Sequence, residues 1–115
     1  MTLMFNKETP DSYKNVLGAE KFLHLWQEYL TDAESKLKKI DALVQNKNWP
    51  DLRIIFHSLK SSSLIFGLDK FSKLCTKIEN YIVDGVFDDE LLSDINNSKN
   101  LWLESIEEVK AYFQP

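Results

Sequence analysis

His57 is the residue in this sequence with the types of neighbours that chemistry needs. On a helix of about 100° per residue, Leu52, Ile55, Phe56, Leu59, Ser63 and Phe66 share one apolar face. His57 falls about 140° from Leu52 on that projection, and Ser61 about 180°. At i−4, i+3, i+4 and i+7 from His57 stand Arg53, Lys60, Ser61 and Leu64. The outward stripe therefore holds one imidazole, two cations, a small hydroxyl residue and an exposed leucine. Taken alone, this is also what a solvated helix face with an incidental histidine looks like. Charge distribution favours more than that. Residues 47–77 hold six basic and two acidic side chains, whereas residues 78–115 hold two basic and nine acidic. The histidine helix and its successor form the basic part of a chain whose net charge is −4. A basic surround at a nucleophile suits an anionic group or an acidic partner site.

Such a stripe needs a rigid element beneath it. The chain has 115 residues, 43% hydrophobic and 28% charged, which fits a single domain over 1–115 with one core. Only three glycines and three prolines occur, which argues against a β-sandwich and for a few long helices. After a short helical turn at Ser12–Leu17, a period of Phe22, Trp26, Tyr29, Ala33, Leu37, Ile40 and Val44 marks a long amphipathic helix after Gly18. Pro50 suits the first position of the next helix, and Gly67 its C-cap. Asp69 is expected as N-cap of a third helix carrying Phe71, Leu74, Cys75, Ile78 and Ile82. A turn over 84–89 leads to a last helix with Leu92, Ile95, Trp102, Ile106, Val109 and Phe113. A local break is expected at its weak helix formers Asn96-Asn97-Ser98. The predicted fold is all-α: an antiparallel up-down-up-down four-helix bundle over about 19–114, with a short extra N-terminal helix.

The remaining candidates read as structural. His24 lies about 200° from Phe22 and faces solvent. Cys75, the one cysteine, is expected to be a buried inert thiol. Two histidines and one cysteine on three helices do not form a metal site, and no calcium loop is present. Trp26, Trp49 and Trp102 are packing residues, and Asp88-Asp89-Glu90 opens a helix where negative charge is favourable. Leu3, Met4, Phe5, Val16 and Leu17 either cap the bundle or extend the surface around Leu64. The acidic balance argues against nucleic acid as a partner. No apolar run approaches the roughly 18 residues of a membrane span. Met1–Glu8 has no cationic segment followed by an apolar run, so a cytoplasmic protein is expected.

The string His57-Ser58-Leu59-Lys60-Ser61-Ser62-Ser63, with Gly67 ten positions after the histidine, resembles the signature of histidine-containing phosphotransfer (HPt) domains. The family pattern runs roughly H-x-L-K-G-S-S. Asn48-Trp49-Pro50-Asp51-Leu52 resembles the turn before the family's histidine helix. Leu74-Cys75 and Ile78-Glu79 resemble its L-x-x-x-C-x-x-[LI]-E stretch, with a shorter leucine spacing. The similarity covers about Phe22 to Glu79. Ser61 departs from the family's glycine and crowds the surface slightly.

The resemblance implies a phosphoryl carrier in a multistep two-component phosphorelay. His57 would take a phosphoryl group from a receiver-domain aspartate and give it to another receiver. Lys60 would screen the phosphoryl oxygens, with Arg53 assisting by its spacing and Ser61 and Leu64 facing the partner. Gly67 is structural. Imidazole, with a reference pKa near ~6.5, is mostly neutral and nucleophilic at neutral pH. No enzyme activity of its own is expected and no cofactor: Mg²⁺ would sit on the partner receiver. The expected partners are response-regulator receiver domains and a hybrid sensor kinase, met by a monomer. Two rival readings stay open. One is a non-catalytic helical adaptor with a degenerate HPt fold. The other is the substrate domain of a chemotaxis-type kinase, whose glycine-rich residues after the histidine are here replaced by Ser61-Ser62-Ser63.

Overall fold

The computed structural model describes residues 5–113. Five helices follow one another: α1 (Glu8–Leu17), α2 (Ala19–Gln45), α3 (Trp49–Ile65), α4 (Asp69–Val83) and α5 (Asp89–Phe113). No strand occurs among the described residues. Contacts fix the order as antiparallel. Tyr29 meets Ser63 and Lys36 meets Ser58 across α2 and α3. The Ser72 hydroxyl donates to the Lys60 carbonyl while Arg53 approaches Glu79 across α3 and α4. Lys77 bonds Glu90 and Asp94 across α4 and α5. Tyr29 meets Trp102, and Asp41 meets Lys99, across α2 and α5. These pairs close an all-α, up-down-up-down bundle, with α1 packed outside against α2 and α3.

The apolar periods read from the sequence form the core. Trp26, Ala33, Ile40, Leu52, Phe56, Leu59, Phe71, Cys75, Ile78 and Val109 are fully or almost fully buried. A polar chain runs through this core. The Tyr29 and Ser63 hydroxyls share a hydrogen bond of 2.6 Å, and Trp102 Nε1 donates to the Tyr29 oxygen at 2.9 Å. Satisfied buried polar groups of this kind fix register, because a shifted helix would strand each of them without a partner. Here they lock α3 against α2 and α5, and with it the helix that carries His57.

Helix ends follow local chemistry. The Asn48 side chain accepts from the Asp51 backbone N–H and so caps α3. At its far end, Gly67 N–H donates to the Leu64 carbonyl and Leu68 N–H to the Ser63 carbonyl, a Schellman closure. Gly67 holds φ +76° for it. A second constraint acts on the same glycine. Asn6 N–H donates to the Gly67 carbonyl at 2.6 Å, and a Cβ on Gly67 would overlap the Asn6 carbonyl. The N-terminal segment is thus strapped over the bundle, with Phe5 buried in the core. Phe5 caps the bundle, whereas Val16 is exposed; Leu3, Met4 and residue 114 lie outside the described residues.

Five sequence expectations need correction. Pro50 takes the second position of α3, not the first, because Asn48 is the cap and the helix opens at Trp49; its missing N–H costs nothing there either. The N-terminal helix is longer than Ser12–Leu17 and starts at Glu8, because Pro10 lies in its first turn, where no intrahelical N–H is required. Asp69 is not the N-cap of α4 but its first residue; Leu68 holds the cap position without a side-chain bond. In α5 it is Leu91, not Leu92, that enters the core. The helix begins at Asp89 with the Asp88 carboxylate accepting from Leu91 N–H, and this sets the phase by one residue. No break occurs at Asn96-Asn97-Ser98. Ser98 is buried and its hydroxyl donates to the Ile95 carbonyl, so tertiary burial overrides weak propensity.

Candidate functional site

The middle of α3 presents His57 outward, its side chain 58% exposed, as the projection predicts. What the projection does not give is its partner. Glu79 projects from α4, its side chain only 10% exposed. It stands 2.8 Å from His57 Nδ1 through Oε2 and accepts from Lys60 Nζ at 3.0 Å through Oε1. Arg53 Nη1 lies 3.6 Å from the same Oε2. One carboxylate thus gathers the three basic groups of the stripe. Burial pushes the Glu79 carboxyl up, but the bonds and charges of Lys60 and His57 outweigh it and hold it below the usual carboxylate range. An ionised carboxylate only accepts, so the proton of this contact belongs to His57 Nδ1. The lone pair of a neutral ring is then on Nε2, the ring atom not engaged by Glu79.

Each participant is positioned by its helix. His57 and Lys60 are one turn apart on α3 and lean toward α4. Glu79 is one turn beyond Cys75, whose side chain is buried. Burial pushes the Cys75 thiol up, so it stays neutral. Ser61 is exposed and its hydroxyl donates to the His57 carbonyl at 3.2 Å, spending its hydrogen on its own helix. Leu64 is exposed one turn further on.

The structure brings His57, Lys60 and Arg53 together and leaves Ser61 and Leu64 along the same stripe. Lys60 is half-buried and engaged by Glu79. Two residues were missed as site residues. Glu79 stood within the quoted α4 stretch, and the signal was a glutamate one residue past Ile78 on a helix whose other such positions are apolar or small. Ile54, exposed three residues before His57, extends the apolar border of the stripe. His24 faces solvent, bonded to Glu28 one turn along α2. Among the described residues, no group of three or more His, Cys, Asp or Glu could hold a metal ion. No helix among them is long and apolar enough to cross a membrane.

An exposed imidazole fixed by a carboxylate, on the second long helix of an antiparallel bundle, defines a class. The family model described as Hpt domain matches residues 24–112, and the chain belongs to that family of histidine-containing phosphotransfer domains. Among curated proteins it is similar to phosphorelay intermediate protein YPD1 of Candida albicans (strain SC5314 / ATCC MYA-2876), 34% identical over 67 residues. That alignment covers 58% of this chain and 36% of the relative, so the chain spans about a third of the relative's length. No solved structure matches the chain.

Proposed function

We propose that this chain is the histidine carrier of a multistep phosphorelay, accepting a phosphoryl group on His57 Nε2 from a receiver-domain aspartate and passing it to another receiver. The observation that carries this reading is the Nδ1 contact to buried Glu79, which leaves Nε2 as the nucleophilic atom of an exposed ring. In the transfer, the Nε2 lone pair forms the N–P bond in line with the breaking P–O bond, and the aspartate leaves as a carboxylate. Lys60 lies one turn from His57 and shares Glu79 with it, and its ammonium would screen phosphoryl oxygens on the ring. Arg53, on the other side, adds positive potential. Ser61 and Leu64 face the incoming receiver, with Ile54 beside them.

On this reading the metal that such chemistry uses would sit on the receiver. Glu79 is the carboxylate in contact with His57, and Lys60 and Arg53 occupy it as well. Its neighbours are thus cations and an imidazole, and their positive charge opposes a divalent cation at this carboxylate. The chain acts as a carrier and the partner completes the reaction. Incubation with a phosphorylated receiver domain, read by intact-mass spectrometry, is expected to give an acid-labile phosphoryl adduct on the wild type and none on His57→Gln. A folded wild-type protein that takes no phosphoryl group from a panel of receivers would overturn the reading.

A further inference from the structure

The contact between Glu79 and His57 has a second consequence, which rests on the phosphoryl-carrier reading. When Nε2 takes the phosphoryl group, its lone pair becomes the N–P bond. The aspartyl P–O pair leaves with the donor carboxylate, and no proton moves. The ring then carries a proton on Nδ1 and a phosphoryl on Nε2, and is an imidazolium. Discharge reverses this: the N–P pair returns to Nε2 as the acceptor oxygen bonds to phosphorus. With Nδ1–H in place, the leaving group is neutral imidazole. If that proton has been lost, the leaving group is an imidazolate anion, which departs far more slowly.

We propose that Glu79 keeps Nδ1 protonated while the phosphoryl group is on Nε2, so that the phosphohistidine stays transferable as pH rises. The geometry meets the requirement. The carboxylate is 2.8 Å from Nδ1, on the side of the ring away from Nε2, and is held in place by a different helix. It is largely buried, so water competes weakly for its oxygens and its charge is poorly screened. The other charged groups that share this carboxylate with the ring are Arg53 and Lys60 on α3, while the Ser61 hydroxyl bonds the His57 backbone carbonyl and Cys75, one turn before Glu79 on α4, is a neutral thiol buried in the core. Both cations oppose added positive charge on the ring. Glu79 is the group of opposite sign, and its bond to the charged form of the ring favours that form. Glu79 is a positioning residue for the proton, and it acts on phosphorus only through the ring.

The test needs no partner protein. His57 is phosphorylated with phosphoramidate, a small-molecule phosphoryl donor, and loss of the phosphoryl group to water is followed by intact mass across alkaline pH. Water supplies the acceptor oxygen, and its proton goes to solvent. Glu79→Gln keeps the size and an acceptor oxygen but removes the charge. Its decay rate is expected to begin falling about one pH unit lower than that of the wild type, a tenfold difference in the protonated fraction. Lys60→Gln, which removes an opposing cation, is expected to move the fall in the other direction. Superimposable pH profiles for wild type and both variants would overturn the proposal. A phosphohistidine whose decay follows the expected profiles, but which exchanges with no receiver, would overturn the relay reading and leave the proton linkage standing.

Discussion

Both histidines of this chain bond a glutamate, and the distances are nearly the same. His24 Nε2 lies 3.0 Å from Glu28 Oε1, and His57 Nδ1 lies 2.8 Å from Glu79 Oε2. Both also have exposed leucines close by in sequence, Leu23 and Leu25 for one and Leu64 for the other. The difference lies under the glutamate. His24 and Glu28 are on the same helix, one turn apart, with side chains 73% and 63% exposed. Each can turn to water without disturbing the other. Glu79 comes from a neighbouring helix, is 10% exposed, and is shared with Lys60 and Arg53. Turning away would leave a carboxylate in a largely buried position without partners. The pairing distance therefore does not separate a site from a surface contact. What separates them is whether packing restrains the partner, and this fixes which nitrogen of the ring is free.

The largest contrast expected between the two histidines is in phosphoryl acceptance. His57→Gln should reduce the acid-labile adduct to background, while His24→Gln should accept at the wild-type rate. Both variants should keep the wild-type helical circular dichroism, because neither ring is part of the core. Equal loss of acceptance in the two would show that the Glu79 environment confers nothing on His57.

The next effect separates the two glutamates. Glu79 ionises below the ordinary carboxylate range in the folded protein, so its contribution to stability is complete above that range. It is lost as pH falls through the depressed value. Glu79→Gln should therefore cost about 1.5 kcal/mol in urea denaturation at neutral pH, the size of a charge-assisted bond with half-exposed partners. The difference from wild type should shrink toward zero in acid. A penalty unchanged between neutral and acid pH would mean that shape, not charge, is what Glu79 supplies.

A smaller contrast concerns the apolar residues on either surface. Leu64→Ser or Ile54→Ser should weaken binding to a cognate receiver about threefold each, read as Kd by titration calorimetry. Leu23→Ser, beside His24, should leave Kd unchanged. If Leu23→Ser weakens binding as much as Leu64→Ser, the docking face extends over α2 and the two leucine groups belong to one surface.

The sequence carried the face of His57 because that follows from one helix's own period. Leu52, Phe56, Leu59 and Ser63 point inward together, so the direction of His57 is determined without reference to the rest of the chain. Gly67 was legible for the same reason, since a helix end has local chemistry. Its second role, admitting the Asn6 carbonyl, is a contact across the chain and has no local signature. The same limit applies to Glu79. Its approach to His57 depends on the register of α4 against α3, which the Ser72 bond to the Lys60 carbonyl helps to set. The misplacement of Leu92 was one of phase: two adjacent leucines fit the period almost equally, and the Asp88 cap decides between them. The α5 break failed because burial of Ser98 against the bundle outweighs the preferences of Asn96 and Asn97.

The smallest effect sharpens the comparison from its other side. Glu28→Gln removes the charge that faces His24, and the melting temperature should stay within about 1 °C of wild type. An i,i+4 pair with both side chains mostly in water gains little Coulomb energy, and ordering two flexible side chains offsets part of that gain. Added salt should leave even this small difference undetectable, since the pair is open to screening. Glu79→Gln should keep most of its penalty in the same salt, because its carboxylate is enclosed by Arg53, His57 and Lys60. Thermal melts of the two variants at low and high salt therefore compare the glutamates directly. A salt-sensitive Glu79 penalty would place its carboxylate in solvent and reduce His57 to the status of His24.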